Sequence, residues 1–289
     1  MPLSLLPAPE PMAEELSALM PPFKQVRWVE TTASTNADLM TMARSTGGPA
    51  ARPWILGAHL QEQGRGRAGR TWQNRPGANL MFSCAFEVFL PSTQLATLSP
   101  LAGLAACEAL RGLISPIHRD HLLMKWPNDL LWRGAKLAGI LVEVTRAGTS
   151  RLSGDHYVAI IGIGVNLNDA RALSQSLNRQ VADWSEVVAL DDQAAAVSAA
   201  QIVCSIALSW YNSLNEVTAH GFGSLPERYG AVDTLAGRHI NVLDDGRILQ
   251  AGIACGVNTL GQLLLRTPDG EQVISVGEVS VRPQKEFSA

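Results

Sequence analysis

The chain has 289 residues, is 46% hydrophobic and 17% charged, and carries a net charge of -3. That suits one large and one small folded domain of ordinary soluble composition, and the charge balance calls for neither nucleic acid nor an anionic membrane as partner. No run approaches the roughly 20 apolar residues that span a bilayer, the acidic start (Glu10, Glu14, Glu15) is no secretory signal, and Cys84, Cys107, Cys204 and Cys255 are scattered as reduced core thiols would be, which predicts a cytoplasmic protein.

Residues 1–22 are Pro-rich and predict a loosely ordered arm with a short helical stretch at 12–20. Alternating and β-rich runs then predict strands at 25–30, 54–60, 79–89, 122–126, 130–132, 137–145 and 156–166. Helical spacing covers 35–45, which ends at Gly47-Gly48, then 94–114, and the Ala-rich 191–217. This order is not a regular β-α-β alternation. It predicts an α+β domain with a mixed or antiparallel sheet over residues 23–234. Residues 223–235 read as a connection. Beyond it, short strands are expected at 239–243, 248–256, 263–267 and 272–281, with turns at Asp245-Gly246 and Asp269-Gly270. Residues 235–289 thus predict a small β-barrel-like module with a tail.

The most informative segment is Gly64-Arg65-Gly66-Arg67-Ala68-Gly69-Arg70. It matches G-x-G-x-x-G, but Thr71-Trp72-Gln73-Asn74-Arg75-Pro76-Gly77 follows where a dinucleotide fold needs a helix, which excludes that fold. What remains is a flexible loop. Its glycines allow close backbone approach, and its arginines offer planar forks to phosphate or carboxylate. A solvated basic loop or an RNA-binding tract remains an equal reading of the loop alone.

The second segment is Lys125-Trp126-Pro127-Asn128-Asp129, followed by a turn at Arg133-Gly134-Ala135 and then Lys136-Leu137-Ala138-Gly139-Ile140-Leu141. Two strands and a tight turn bring Lys125, Asp129 and Lys136 into one neighbourhood. Two lysines beside a carboxylate suit phosphoryl chemistry, although lysines at strand ends usually just face solvent. In Gly162-Ile163-Gly164-Val165-Asn166, Asn166 could reach a nucleotide or cap a turn, and the turn is favoured. His118-Arg119-Asp120 lacks the companions of a kinase loop, and His118 and His121 lack further metal ligands.

Together with Ser34-Thr35-Asn36, these segments resemble biotin–protein ligases, in that family's order, from about Phe23 to Arg282. The resemblance implies a biotin/lipoate ligase-like catalytic domain followed by a C-terminal SH3-like barrel. It implies that Ser34, Thr35 and Asn36 hold biotin's ureido ring and that Gln61 lines the same pocket. Arg65, Gly66 and Arg67 would close over biotin and the adenylate, with Lys136 at the carboxylate and α-phosphate. Arg70, Trp72, Lys125, Asn128 and Asn166 would contact the nucleotide, and Asp129 would meet the acceptor lysine. The resemblance thus makes Lys136, Asp129 and Arg67 the expected catalytic set. Ala68 departs from members that have an arginine there. The implied substrates are biotin and ATP with Mg2+, and the implied partner is a biotin carboxyl carrier protein, with a homodimer left open. No sequence is seen for the DNA-binding domain of repressor members, so no specific DNA binding is expected. A lipoate–protein ligase of the same fold is the nearest alternative, disfavoured by the arginine loop and the barrel. A nucleic-acid-binding protein using the basic loop is the other.

Overall fold

The structure, a computed structural model, describes residues 6–45, 51–146, 155–244, 246–275 and 280–283. The chain opens with helix α1 (Pro9–Leu19), strand β1 (Gln25–Thr32), helix α2 (Thr35–Arg44) and strands β2 (Trp54–Gln61) and β3 (Asn79–Phe89). Helix α3 (Leu98–Gly112) leads to β4 (Leu122–Lys125), β5 (Asp129–Trp132), β6 (Ala135–Arg146) and β7 (His156–Asn166). Helices α4 (Ala170–Leu177), α5 (Trp184–Val188), α6 (Asp192–Ala195), α7 (Ala199–His220) and α8 (Leu225–Gly230) follow. Strands β8 (His239–Asp244), β9 (Arg247–Val257), β10 (Leu263–Thr267), β11 (Gly270–Ile274) and β12 (Ser280–Pro283) complete it.

The large sheet runs β1-β2-β3-β7-β6-β5-β4, parallel only between β1 and β2, so the expected α+β class with a mixed sheet is observed. Strand alternation divides its faces. Leu80, Phe82, Cys84 and Phe86 of β3, with Ile161, Ile163 and Val165 of β7, enter the main core with α3 and α7. Trp210 of α7 meets Phe82 there at 5.6 Å between ring centroids. The opposite face carries a smaller core, where Leu39 and Ala43 of α2 pack on Ala85 and Ile160.

The second sheet is antiparallel and runs β11-β10-β9-β8-β12. Among the described residues, two side-chain hydrogen bonds tie it to segments flanking the large sheet. Thr97 Oγ1 donates to Leu260 O at 2.8 Å, and Trp126 Nε1 donates to Gly261 O at 2.9 Å. Residues 232–234 extend the edge of the large sheet beyond β4: Met124 N donates to Val232 O at 2.8 Å and Thr234 N to Met124 O at 3.0 Å.

Several expectations need correction. The N-terminal arm is not loose: α1 buries Met12 and Leu16 completely, and Met20 behind it, because i, i+4 spacing puts them on one stripe against the core. The helix expected over 191–217 is two, because Ser198 and Gln201 form a capping box that starts α7 afresh after α6. The connection at 223–235 contains α8, and α4 and α5 lie where no helix was expected. The strand expected at 272–281 is two strands at opposite ends of the second sheet. Cys84 and Cys107 are buried, but Cys204 is intermediate and Cys255 exposed. The Gly47-Gly48 stop and Asp245 of the first turn lie outside the described residues.

Candidate active site

Three glycines make a floor on the large sheet. Gly139 of β6 lies opposite Gly164 of β7, and Gly162 is two residues back on the same face. A Cβ on Gly164 would stand 2.4 Å from the Trp72 indole, and one on Gly162 would stand 2.1 Å from Asn36 Oδ1. Only glycine lets these two side chains approach the sheet so closely. Above the floor is a cavity of about 1100 Å³.

One end is a buried polar pocket. Ser34 caps α2, its hydroxyl accepting from Ala37 N, which places Thr35 and Asn36 in the first helical turn over the sheet. Gln61, at the end of β2, accepts through Oε1 from Thr35 N at 2.8 Å, and its Nε2 points to Met81 Sδ. Thr35 Oγ1 lies 2.6 Å from Ser83 Oγ, which donates to Asn36 Oδ1 at 2.6 Å. Asn36 Nδ2 donates to Glu143 Oε2 at 2.9 Å. Ser34, Thr35, Asn36 and Ser83 are all buried.

The arginine loop forms the wall of this cavity rather than a free basic tract. Gly66 N donates to Arg70 O at 2.7 Å and Trp72 N to Gly64 O at 2.8 Å, closing the loop on itself. Ala68 and Gly69 take left-handed φ of 52° and 67°, which is a strained conformation for alanine. Arg65 reaches toward Glu143 at 3.6 Å. Arg67 donates to Asn128 Oδ1 at 3.2 Å, and burial pulls its pKa below the usual arginine range, Asp129 opposing and Arg70 adding to the shift.

The lysine hairpin supplies the rest. Arg133 and Gly134 have φ of 48° and 84°, the conformation of a tight two-residue turn that matches strand twist. Lys125 and Asp129 are register partners across β4 and β5. Lys136 pairs with Leu131, because a bulge between Leu130 and Leu131 shifts the β5–β6 register by one residue. Leu131 and Asp129 share a face, so the bulge turns Lys136 onto that face, where its Nζ donates to Asp129 Oδ1. Lys125 has its pKa lowered by burial, Asp129 opposing, and Lys136, Arg282 and Arg179 adding to it. Trp72 lies between pocket and hairpin with Lys136 Nζ 5.7 Å from its ring centroid, and its Nε1 is buried without a hydrogen bond.

Every site residue expected from the sequence except Asn166 lines this cavity. Asn166 is 1% exposed, accepts from Asn79 Nδ2, and donates to Lys136 O and Ala182 O. Both ends of its amide are bonded to protein, so it braces the Lys136 strand from outside the cavity lining. Sequence reasoning missed Ser83, Glu143, Arg179, Arg238 and Arg282. Ser83 and Glu143 sit inside strands that read as plain β runs. The three arginines come from separate, unpatterned stretches.

The model of the Biotin/lipoate A/B protein ligase family matches residues 33–166, and that of the Biotin protein ligase C terminal domain matches 236–282. The chain is 33% identical over 251 residues to a biotin–[acetyl-CoA-carboxylase] ligase of Paracoccus denitrificans, covering 86% of this chain and 97% of that one. It is 30% identical to the corresponding ligase of Mycobacterium tuberculosis, over 89% of each chain. The biotin protein ligase of Aquifex aeolicus, solved with biotin and ATP, superposes with a TM-score of 0.69 at 25% identity, over 91% of this chain and all of that one. Fold and site thus define a biotin/lipoate-type ligase catalytic domain with a C-terminal β-module. Within that class, the chain belongs to the biotin–[acetyl-CoA-carboxylase] ligases.

Proposed function

We propose that this chain joins biotin and ATP into biotinyl-5'-AMP and passes the biotinyl group to a lysine of the biotin carboxyl carrier protein of acetyl-CoA carboxylase. One observation carries the reading. A single cavity runs from a buried polar pocket at Ser34, Thr35, Asn36 and Gln61 to Lys125, Lys136 and Arg67 gathered around Asp129. Such a cavity fits a neutral hydrogen-bonding head group at one end and a carboxylate meeting a phosphate at the other.

In the first step a biotin carboxylate oxygen forms a bond to the α-phosphorus while the bond to pyrophosphate breaks. Lys136 offsets the charge that builds on the phosphoryl oxygens, and Arg67 anchors the arginine loop over the adenylate once it has formed. Arg70, Trp72, Lys125 and Asn128 hold the nucleotide. Among the described residues no cluster of three His, Cys, Asp or Glu side chains could hold a metal. Mg2+ carried on the triphosphate would screen the departing pyrophosphate. Lys136 is paired with Asp129, so a turn of Lys136 toward the new phosphate oxygens would release the Asp129 carboxylate for the second step. There the acceptor amine, with an unperturbed pKa of about 10.4, must lose a proton to attack the acyl carbon. A C–N bond forms, AMP leaves, and Asp129 orients the amine and assists its deprotonation. The arginine loop keeps water from the mixed anhydride in between. Four free thiols suit a reducing cytoplasm.

The test is carboxylate-dependent exchange of labelled pyrophosphate into ATP. Biotin should drive it. Equal or faster exchange with lipoate or octanoate would overturn the assignment.

A further inference from the structure

Hydrogen bonds in the polar pocket run in one direction only. An ionised carboxylate accepts and never donates, and Glu143 Oε2 takes Asn36 Nδ2 at 2.9 Å. The backbone carbonyl of Leu141 lies on the same side of that amide, at 3.4 Å. Two acceptors therefore hold the NH2 group, and Asn36 Oδ1 must face the other way, onto Ser83 Oγ at 2.6 Å. Ser83 has one proton and spends it there, since otherwise Asn36 Oδ1 would be buried without a donor. The 2.6 Å contact between Ser83 and Thr35 then has Thr35 as donor. Among the described residues, the one other hydrogen-bond partner of Thr35 Oγ1 is Gln61 Oε1 at 3.2 Å, which is also an acceptor. With its proton on Ser83, Thr35 Oγ1 receives no hydrogen bond from another protein group among the described residues, and its lone pairs are left for whatever enters the cavity.

We infer that Glu143 is a positioning residue that fixes the direction of the Asn36–Ser83–Thr35 relay, so that Thr35 Oγ1 meets the bound head group as an acceptor and selects a ring carrying an N–H. This rests on the biotin reading of the cavity and adds the group that enforces it. Glu143 also faces Arg65 at 3.6 Å, so a cation from the arginine loop sits against the carboxylate that sets the relay. If Glu143 became an amide it could donate as well as accept. Asn36 could then turn over, and Thr35 could present its proton instead.

The experiment compares biotin with its two cyclic carbamate analogues, in which one or the other ring N–H is replaced by an oxygen of similar size. ATP–pyrophosphate exchange gives KM and kcat for wild type, Glu143→Gln and Glu143→Asp. In wild type, the analogue that turns an oxygen toward Thr35 should lose about 100-fold in kcat/KM, the scale set by leaving one buried hydrogen-bonding group unmatched. Glu143→Gln should raise the KM for biotin about tenfold, with the loss on KM rather than kcat, and shrink the carbamate penalty to about tenfold. Glu143→Asp, which can only accept, should keep the large penalty. Ser83→Ala, followed by calorimetric binding of biotin and the carbamates so that turnover is not needed, should also shrink it. A carbamate penalty in both Glu143→Gln and Ser83→Ala within twofold of wild type would overturn the relay. A wild type that binds and activates biotin but treats both carbamates as equals of biotin would also overturn it. A wild type that shows no biotin-dependent exchange or binding would instead overturn the biotin reading itself, and the relay with it.

Discussion

At the scale of single residues, the proposed chemistry centres on the ion pair between Lys136 and Asp129. Lys136→Ala should lower adenylate formation by about 10²–10³-fold, as the loss of one stabiliser of developing charge does. Single-turnover measurement of biotinyl-AMP at the wild-type rate would reject that role. Arg67 should act differently. It is half-buried, hydrogen-bonded to Asn128, and carried by a loop with left-handed residues on its far side. Arg67→Gly should leave adenylation running on Lys136 while releasing the intermediate about tenfold faster, since 1.4 kcal/mol is a factor of ten and a charged hydrogen bond contributes that much. The readout is biotin appearing on a bystander albumin. Labelling at the wild-type level, with adenylation intact, would show that Arg67 does not retain the intermediate.

Elements carry these residues into place through caps, turns and edges. The capping box at Ser198 and Gln201 starts α7, whose Trp210 backs the sheet that floors the cavity. Ser198→Ala should destabilise the fold by about 1 kcal/mol without altering substrate affinity, which a urea titration and an exchange assay can separate. The segment 232–234 pins the edge strand that bears Lys125. Asp233 lies within it, and burial raises its pKa to about 6 against the backbone N–H groups of Leu235 and Ala236. The unfolded value is about 3.9, so the folded state holds this proton more tightly. The associated stability is fully present below about pH 4 and is lost as pH rises through about 6. Asp233→Asn should remove that decline from a plot of unfolding midpoint against pH. An unchanged slope between pH 4 and 6 would exclude Asp233 as its source.

At the scale of the whole molecule, the second sheet grips the catalytic corner. Trp126, next to Lys125, is hydrogen-bonded to Gly261. Gly261 has φ +67°, and a Cβ there would stand 2.4 Å from Pro100 Cγ. Gly261→Ala combines left-handed strain with overpacking and should cost about 1–3 kcal/mol. Gly237→Ala, also at positive φ but with open space around it, should cost less. Equal chemical-denaturation midpoints for the two variants would show that the contact with Pro100 does not matter.

The sequence by itself determined the parts whose physics is local. Alternation placed β3 and β7 to the residue, the Arg133-Gly134 turn was legible between Trp132 and Lys136, and the arginine loop stood out as a basic Gly-rich tract, open between a phosphate or carboxylate binder and a solvated or RNA-binding loop. Family resemblance then marked Ser34, Thr35, Asn36 and Gln61, which the structure brings into one pocket. Tertiary structure decided what depends on pairing across the chain. Strict alternation from Gly139, the register partner of Asp129, would put Lys136 on the far side of the sheet, and only the bulge at Leu130/Leu131 returns it to Asp129. The burial of α1 depends on partners in β1 and α7, far from a Pro-rich start that looked loose. Asn166 looked like a ligand contact and is a brace, because its neighbours Asn79 and Ala182 are remote in sequence. Glu143 had no local signal, since its role follows from facing Asn36 across 107 residues of chain. Hydrogen-bond direction and strand register are set by which groups meet, and a one-dimensional pattern of residue types does not contain that.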